Sequence, residues 1–163
     1  DCDDYWDNRK LEKQLRFMKK NNIQFSHTNY EIINNKGILI GKMPVKKKIS
    51  YENLIKSCDI GLSTVVLKRK ILPKNPFPPL VTKEDYVLWL RLSKRNKIFG
   101  LNEFLVKWRK VENSLSSSIS QKIRDAFKVY NFYEKRSILV SVYMTLRLSF
   151  YAAHKKFKIQ KIL

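Results

Sequence analysis

Residues 1–6 read Asp-Cys-Asp-Asp-Tyr-Trp, and residues 83–90 read Lys-Glu-Asp-Tyr-Val-Leu-Trp-Leu. These two stretches place compact carboxylate clusters in a chain that has 34 Lys and Arg residues against 14 Asp and Glu, for a formal net charge of +20. Acids concentrated in so basic a chain suggest a task for them. The simplest task is that one cluster holds a divalent cation while the other accepts a proton.

The length and composition indicate one folded domain. The chain has 163 residues, 44% of them hydrophobic, including nine Phe, eight Tyr and three Trp, which is enough for a real core. Cys2 and Cys58 form no CxxC pair and have no neighbouring His, so the sequence indicates neither a zinc site nor a disulfide framework. A reduced, cytosolic compartment is the default expectation.

The positive charge favours a polyanionic neighbour, which could be nucleic acid, anionic lipid or a phosphate-bearing substrate. A Lys-rich composition inherited from a low-GC genome explains the excess equally well, and both explanations stay open at this point.

Short strands and helices alternate along the first part of the chain, which is typical of an α/β fold. A Ser-rich linker then leads into a helical, aromatic and basic tail. The predicted elements are helices over 9–20, 51–56 and from 82, strands over 23–27, 63–67, 98–101 and 104–109, and a hairpin that joins 30–33 to 38–40 through Asn34-Asn35-Lys36-Gly37.

The tail contains an apolar stretch, Ile138 to Ala153, flanked by basic residues. Arg147 interrupts it, and it is shorter than a membrane-spanning helix. Two alternatives remain: a helix that lies in the membrane interface, or a core helix whose Ile138, Val142, Leu146 and Phe150 pack on the rest of the domain.

Five segments resemble family 2 glycosyltransferases of the GT-A fold. Residues 1–6 resemble the DxDD-x-W signature of that family, and residues 84–90 resemble its ED-Y-x-LWL helix start. Between and after them, residues 25–30 and 61–65 resemble two of its strands, and Trp108-Arg109 followed by 113–116 resembles its Tyr-Arg…Ser-x-Ser segment. The similarity covers roughly residues 1–118, and these pieces arrive in the family's order.

The resemblance implies a sugar transfer from a nucleotide-diphosphate donor to an acceptor hydroxyl, usually with inversion. Asp3 and Asp1 match the positions that bind Mg²⁺ or Mn²⁺ and the nucleotide sugar, Asp85 matches the catalytic base, and Glu84 would orient the acceptor. Arg109 would contact the donor diphosphate, since guanidinium binds phosphate bidentately. One departure is Val111, where relatives often carry His or Arg.

Each of these residues also has a structural alternative. Asp1, Asp3 and Asp4 could be a solvated cluster that caps the first helix. Thr82 and Asp85 fit a capping-box pattern at a helix start, where acids are also favoured by the helix dipole. Arg109 could be an ordinary surface residue on a strand.

The sequence therefore predicts a partial GT-A fold at 1–118, the acceptor-side part of a transferase domain that lacks its nucleotide-binding half. A basic, aromatic helical tail follows at 119–163, and membrane association is one of its two interpretations. We expect a cytoplasmic enzyme of surface-polysaccharide or lipopolysaccharide assembly, peripheral on the anionic inner membrane face, with a glycan or lipid-linked acceptor and no nucleic-acid partner. Without the missing half we expect the chain alone to be inactive. The rival interpretations are a non-catalytic polyanion-binding module and a degenerate transferase remnant.

Overall fold

The structure, a computed structural model, describes residues 3–111 and 118–160, with side chains through residue 155. Within these residues the fold is α/β, as the sequence predicts. The strands are β1 (Tyr5–Trp6), β2 (Phe25–Ile33), β3 (Leu39–Met43), β4 (Lys48–Ile49), β5 (Val66–Leu67) and β6 (Ile98–Arg109). The helices are α1 (Lys10–Lys20), α2 (Tyr51–Leu54), α3 (Glu84–Ser93), α4 (Ile119–Lys128) and α5 (Ile138–Gln160).

Two long parallel strands, β2 and β6, form the centre of the mixed sheet. Each carries two short antiparallel strands on its outer edge: β3 and β5 on β2, and β1 and β4 on β6. The two predicted segments 98–101 and 104–109 are therefore one strand, which stays continuous through register shifts opposite Thr28–Tyr30. This arrangement brings the start of β1 beside the end of β6.

The predicted hairpin is confirmed, and its turn chemistry explains it. Asn34 Oδ1 accepts hydrogen bonds from the backbone N–H groups of Lys36 and Ile38 at 2.9 and 3.0 Å. Gly37 has a φ of 78°, a left-handed conformation that glycine adopts without steric cost. The turn reverses the chain so that β3 pairs with β2.

The core lies where α3 packs on the sheet. Trp89 of α3 is buried against Phe25 of β2, with ring centroids 5.1 Å apart. The same hydrophobic cluster includes Tyr130, in a π-helical turn after α4, and Met144 and Leu148 of α5. The last helices therefore share one core with the sheet, and the division of the chain at residue 118 stays a prediction.

Two details of the predicted elements are wrong. The run 63–67 is not a continuous strand, because a 3₁₀ turn at Leu62–Thr64 precedes β5. Thr82 does not cap α3: its N–H and hydroxyl both donate to Asp125 at 2.9 Å, and the cap residue is Lys83. The capping-box alternative for Thr82 and Asp85 is therefore excluded.

The face of α5 that packs on the core is not the face expected for a core helix from the sequence. Ile138, Val142, Leu146 and Phe150 are between 45% and 69% exposed, while Ser141, Met144, Thr145 and Leu148 face the core. None of the helices in the described part of the chain is both long and apolar enough to cross a membrane.

Candidate active site

Asp4 joins three elements where β1 begins. Its Oδ1 accepts a hydrogen bond from the Arg109 backbone N–H at 3.0 Å, and its Oδ2 accepts one from the Ser63 hydroxyl. Asp4 therefore has a structural role that fixes the start of β1 to the end of β6. It does not cap α1, whose preceding turn is closed by Asp7 Oδ1 accepting from Arg9 N–H at 2.9 Å.

Asp3 differs from its neighbour in having a free carboxylate. The residue is exposed, and within the described part of the chain no donor is bonded to its carboxylate oxygens. Its backbone carbonyl is held by Arg109 Nε at 3.3 Å. Carboxylate oxygens are the donors that Mg²⁺ and Mn²⁺ prefer, so Asp3 fits the predicted cation.

The second predicted ligand, Asp1, lies outside the described residues. Among those that the structure does describe, no group of three or more His, Cys, Asp or Glu side chains could hold a metal ion. The pair Asp1 and Asp3 stays a prediction.

Arg109, the last residue of β6, uses its guanidinium to tie the hairpin to β1. Nη1 donates to the carbonyls of Asn34 and Asn35 at 3.1 and 2.9 Å, and Nη2 donates to the Tyr5 hydroxyl at 2.9 Å. The guanidinium carbon also lies 5.1 Å from the centre of the Tyr5 ring. Together with the bond from Nε to Asp3, these bonds use four of the five guanidinium N–H groups. One N–H on Nη2 could reach a diphosphate oxygen, and a bidentate contact would have to replace one of these bonds.

Asp85 and Glu84 form the first turn of α3. Lys83, just before them, has a φ of 68°, a left-handed conformation that is strained for a residue with a Cβ. Burial, with a smaller contribution from the negative charge of Glu84, raises the pKa of Asp85 to about 6. A base works best when its pKa is close to the working pH, so Asp85 is suited to take a proton near neutrality.

Tyr30 and Cys58 are two further titratable groups whose pKa values depend on the acids of the two clusters. Burial raises the pKa of Tyr30 to about 12, with further contributions from Cys58 and Asp4. Burial likewise raises the pKa of the Cys58 thiol to about 11, and the charge of Asp85 adds to this. The charges of Asp4 and Asp85 therefore each contribute to one of these two shifts. Cys58 is a thiol at neutral pH and is not a nucleophile.

The chain is similar in sequence to known proteins. No protein-family model matches the chain. It is 46% identical over 132 residues to WfgD of Escherichia coli, which is named a UDP-Glc:alpha-D-GlcNAc-diphosphoundecaprenol beta-1,3-glucosyltransferase. The matched residues make up 79% of this chain and 51% of WfgD. It is 30% identical over 158 residues to TuaG of Bacillus subtilis, which is named a putative teichuronic acid biosynthesis glycosyltransferase. The matched residues make up 96% of this chain and 63% of TuaG.

A solved structure supports the fold. TarS of S. aureus, crystallised with UDP-GlcNAc, superposes with a TM-score of 0.58 at 17% identity, over 88% of this chain and 44% of that one. The chain belongs to the family 2 glycosyltransferases. The predicted partial GT-A fold is confirmed. This glycosyltransferase chain spans about half the length of the curated relatives it matches.

Sequence reasoning missed several residues of this region. Ser63 lies in a segment that carries the family resemblance, but nothing local marks it as the partner of Asp4. Tyr30 and Cys58 carry no motif of their own. Asp59, beside Cys58, binds lysines from two distant segments, Lys46 and Lys155. Only the three-dimensional fold brings these groups together.

Proposed function

We propose that this glycosyltransferase transfers a sugar from a UDP-sugar donor to a hydroxyl of a diphosphate-linked acceptor in bacterial surface-polysaccharide assembly. The names of WfgD and WfaP, which is 36% identical over 119 residues, support both substrates. The observation that supports the proposal is the carboxylate of Asp85 in the first turn of α3, whose pKa burial raises to about 6.

In the proposed reaction Asp85 removes the proton from the acceptor hydroxyl. The acceptor oxygen then bonds to the anomeric carbon while the bond from that carbon to the donor diphosphate breaks, and the diphosphate leaves with the electron pair. Attack from the side opposite the leaving group inverts the anomeric configuration. Glu84, one residue before Asp85 in the first turn of α3, would orient the acceptor by hydrogen bonding.

Asp3, together with Asp1, would hold Mg²⁺ or Mn²⁺, which when bound neutralises the charge that develops on the diphosphate. The support is the free, exposed carboxylate of Asp3, in contrast to the fully bonded Asp4. The contact between Arg109 and the donor diphosphate belongs to the same proposal. Arg109 also positions Asp3 through the bond to its carbonyl.

The transfer is tested with the chain alone and with a chimera in which it replaces the matching part of WfgD. Both are incubated with UDP-glucose and an alkyl-diphosphate-linked GlcNAc, and UDP release and product are followed with added Mg²⁺ or with chelator. We expect the chimera to form a β-linked product only with the divalent cation, and the chain alone to form none. Full activity in chelator removes the metal role, and an α-linked product removes inversion.

We also propose that α5 holds the protein peripherally on the anionic inner face of the membrane. Leu139, Tyr143, Leu146 and Phe150 recur every three to four residues and are between 61% and 84% exposed, so they form one outward apolar stripe. Arg147 on the same helix and the exposed Lys135 and Arg136 just before it supply positive charge. Such a helix binds the interface through apolar burial and attraction to anionic headgroups.

Vesicle co-sedimentation tests the membrane proposal. We expect binding to phosphatidylglycerol-containing vesicles, weak binding to phosphatidylcholine alone, and loss of binding when Leu139, Leu146 and Phe150 are changed to Gln. The matched control changes Leu11 and Leu15, which are 47% and 54% exposed on α1, to Gln. Substitution is preferred to deletion because Met144 and Leu148 belong to the core. Equal loss with the control, or binding that ignores lipid charge, contradicts the proposal.

A further inference from the structure

The loop after α2 is held by lysines from two segments far away in the sequence. Lys155 of α5 donates from Nζ to the Cys58 carbonyl at 3.2 Å and forms an ion pair with Asp59 Oδ1. Lys46, from the segment that links β3 to β4, reaches Asp59 Oδ2 at 3.3 Å. Two ammonium groups therefore converge on a single carboxylate, beside Cys58, whose pKa the charge of Asp85 raises.

The charge of Lys83, the residue just before α3, lowers the pKa of both Cys58 and Asp85. With two lysines on the single carboxylate of Asp59, the cluster of Lys46, Asp59 and Lys155 carries an excess of positive charge.

A purely structural role, in which ion pairs hold α5 to the loop after α2, explains only part of this arrangement. One lysine suffices to neutralise Asp59, yet two bind it, and the side chain of Lys46 is 61% exposed. Burial lowers the pKa of Lys155, and the neighbouring charge of Lys46 lowers it further. A second anion at this position would relieve the repulsion between the two ammonium groups.

We propose that Lys46 and Lys155 bind the diphosphate of the acceptor, so that the sugar attached to it presents its hydroxyl to Asp85. This inference rests on the proposed function and assigns residues to the acceptor side of the same site. Lys155 lies five residues beyond Phe150, about 7.5 Å along the helix axis, and on the inward face of α5. A lipid tail attached to the diphosphate would have to pass around α5 to reach the outward apolar stripe.

The test measures binding and needs no turnover. Octyl diphosphate is titrated into the chain by isothermal titration calorimetry in chelator, with UDP and octyl glucoside as comparison ligands. We expect octyl diphosphate to bind more tightly than either, because UDP lacks the alkyl tail and octyl glucoside lacks the charge. Lys46→Gln and Lys155→Gln should each weaken binding about tenfold, since each removes a charge next to the phosphates. Lys155→Arg, which keeps the charge, should bind like the wild type.

Two further variants distinguish a phosphate-binding site from ion pairs that only hold α5 to the loop after α2. Lys42→Gln removes a lysine of the same charge from a pair with Glu31 on the sheet and should leave binding unchanged. Asp59→Asn should tighten binding several-fold, because it removes a competing anion and leaves both lysines in place. Weaker binding in Asp59→Asn, or unchanged binding in both Lys→Gln variants, overturns the inference. UDP binding as tightly as octyl diphosphate would assign the lysines to the donor and overturn it too.

The result is independent of the transfer assay. Binding of octyl diphosphate through the lysines without sugar transfer would disprove the proposed reaction and leave this site standing. Transfer in the WfgD chimera with lysine variants that bind normally would disprove the site and leave the reaction standing.

Discussion

Replacing Asp85 with Asn should lower activity and raise stability at the same time. The variant keeps the shape of the side chain and an oxygen that can accept the bond from Tyr86 N–H, which is 2.7 Å long. It removes the basicity, and positioned general-base catalysis typically contributes about 10²–10⁴-fold. We expect turnover in the WfgD chimera to fall by that order, with UDP-sugar binding retained.

The expected gain in stability follows from the pKa of Asp85. Its rise from 3.8 to about 6 corresponds to about 3 kcal/mol between the two protonation states. Because the carboxylate is only partly buried, solvent screening reduces the expected effect to about 1–3 kcal/mol. The folded state holds the proton more tightly than the unfolded state, so the wild type loses stability as the pH rises from about 4 to about 6. Above that range Asn, which never ionises, should be the more stable residue.

Urea unfolding of the wild type and Asp85→Asn at pH 3.5 and pH 7.5 measures this difference. The two proteins should be equally stable at the lower pH, and the variant should be more stable at the higher pH. A variant less stable than the wild type at pH 7.5, with near-normal turnover, would refute the reasoning and assign Asp85 a purely structural role.

The remaining predictions concern the frame of the site. Asp3→Asn should abolish stimulation by divalent cations in the chimera and leave the melting temperature unchanged, whereas Asp4→Asn should lower the melting temperature; equal unfolding of both variants would contradict the separation of their roles. Asp125→Ala should cost about 2 kcal/mol in urea unfolding, because it leaves buried donors of Thr82 without an acceptor, and a cost near zero would contradict this. Gly100→Ala should also destabilise the protein in urea unfolding, since a Cβ there would lie 2.4 Å from the Lys46 carbonyl oxygen. An unfolding midpoint equal to that of the wild type would show that the backbone at Lys46 can move away from the added Cβ without cost.

Local signals in the sequence predict the elements that depend on local chemistry. The hairpin at Asn34–Gly37 is predicted because its turn residues form their own hydrogen bonds. The start of α3 is misassigned because Thr82 bonds to Asp125, 43 residues away. The β-branched run at 63–67 suggests a strand, but Thr64 Oγ1 bonds to the Gly61 carbonyl at 2.6 Å and closes a turn.

The candidate site shows the same division. Asp3, Glu84 and Asp85 stand in recognisable motifs, so the sequence alone singles them out. The carbonyl partners of Arg109 and the lysine partners of Asp59 are set by tertiary structure, which no local pattern encodes. Periodicity likewise predicts the helix of α5, but its inward face carries Ser141 and Thr145 alongside Met144, so the more apolar face is turned outward.

The parallel pairing of β2 with β6 has a consequence for how the chain folds. Asn29 and Asn102, whose side chains hydrogen-bond at 2.9 Å across these strands, are 73 residues apart. Closing so long a loop costs entropy before the pairing compensates for it. The β2–β3 hairpin needs no such closure, so we expect it to form before β2 pairs with β6. Until β6 has been synthesised, the edge of β2 that pairs with it is unpaired, and we expect this edge to be prone to mispairing and to chaperone binding during translation.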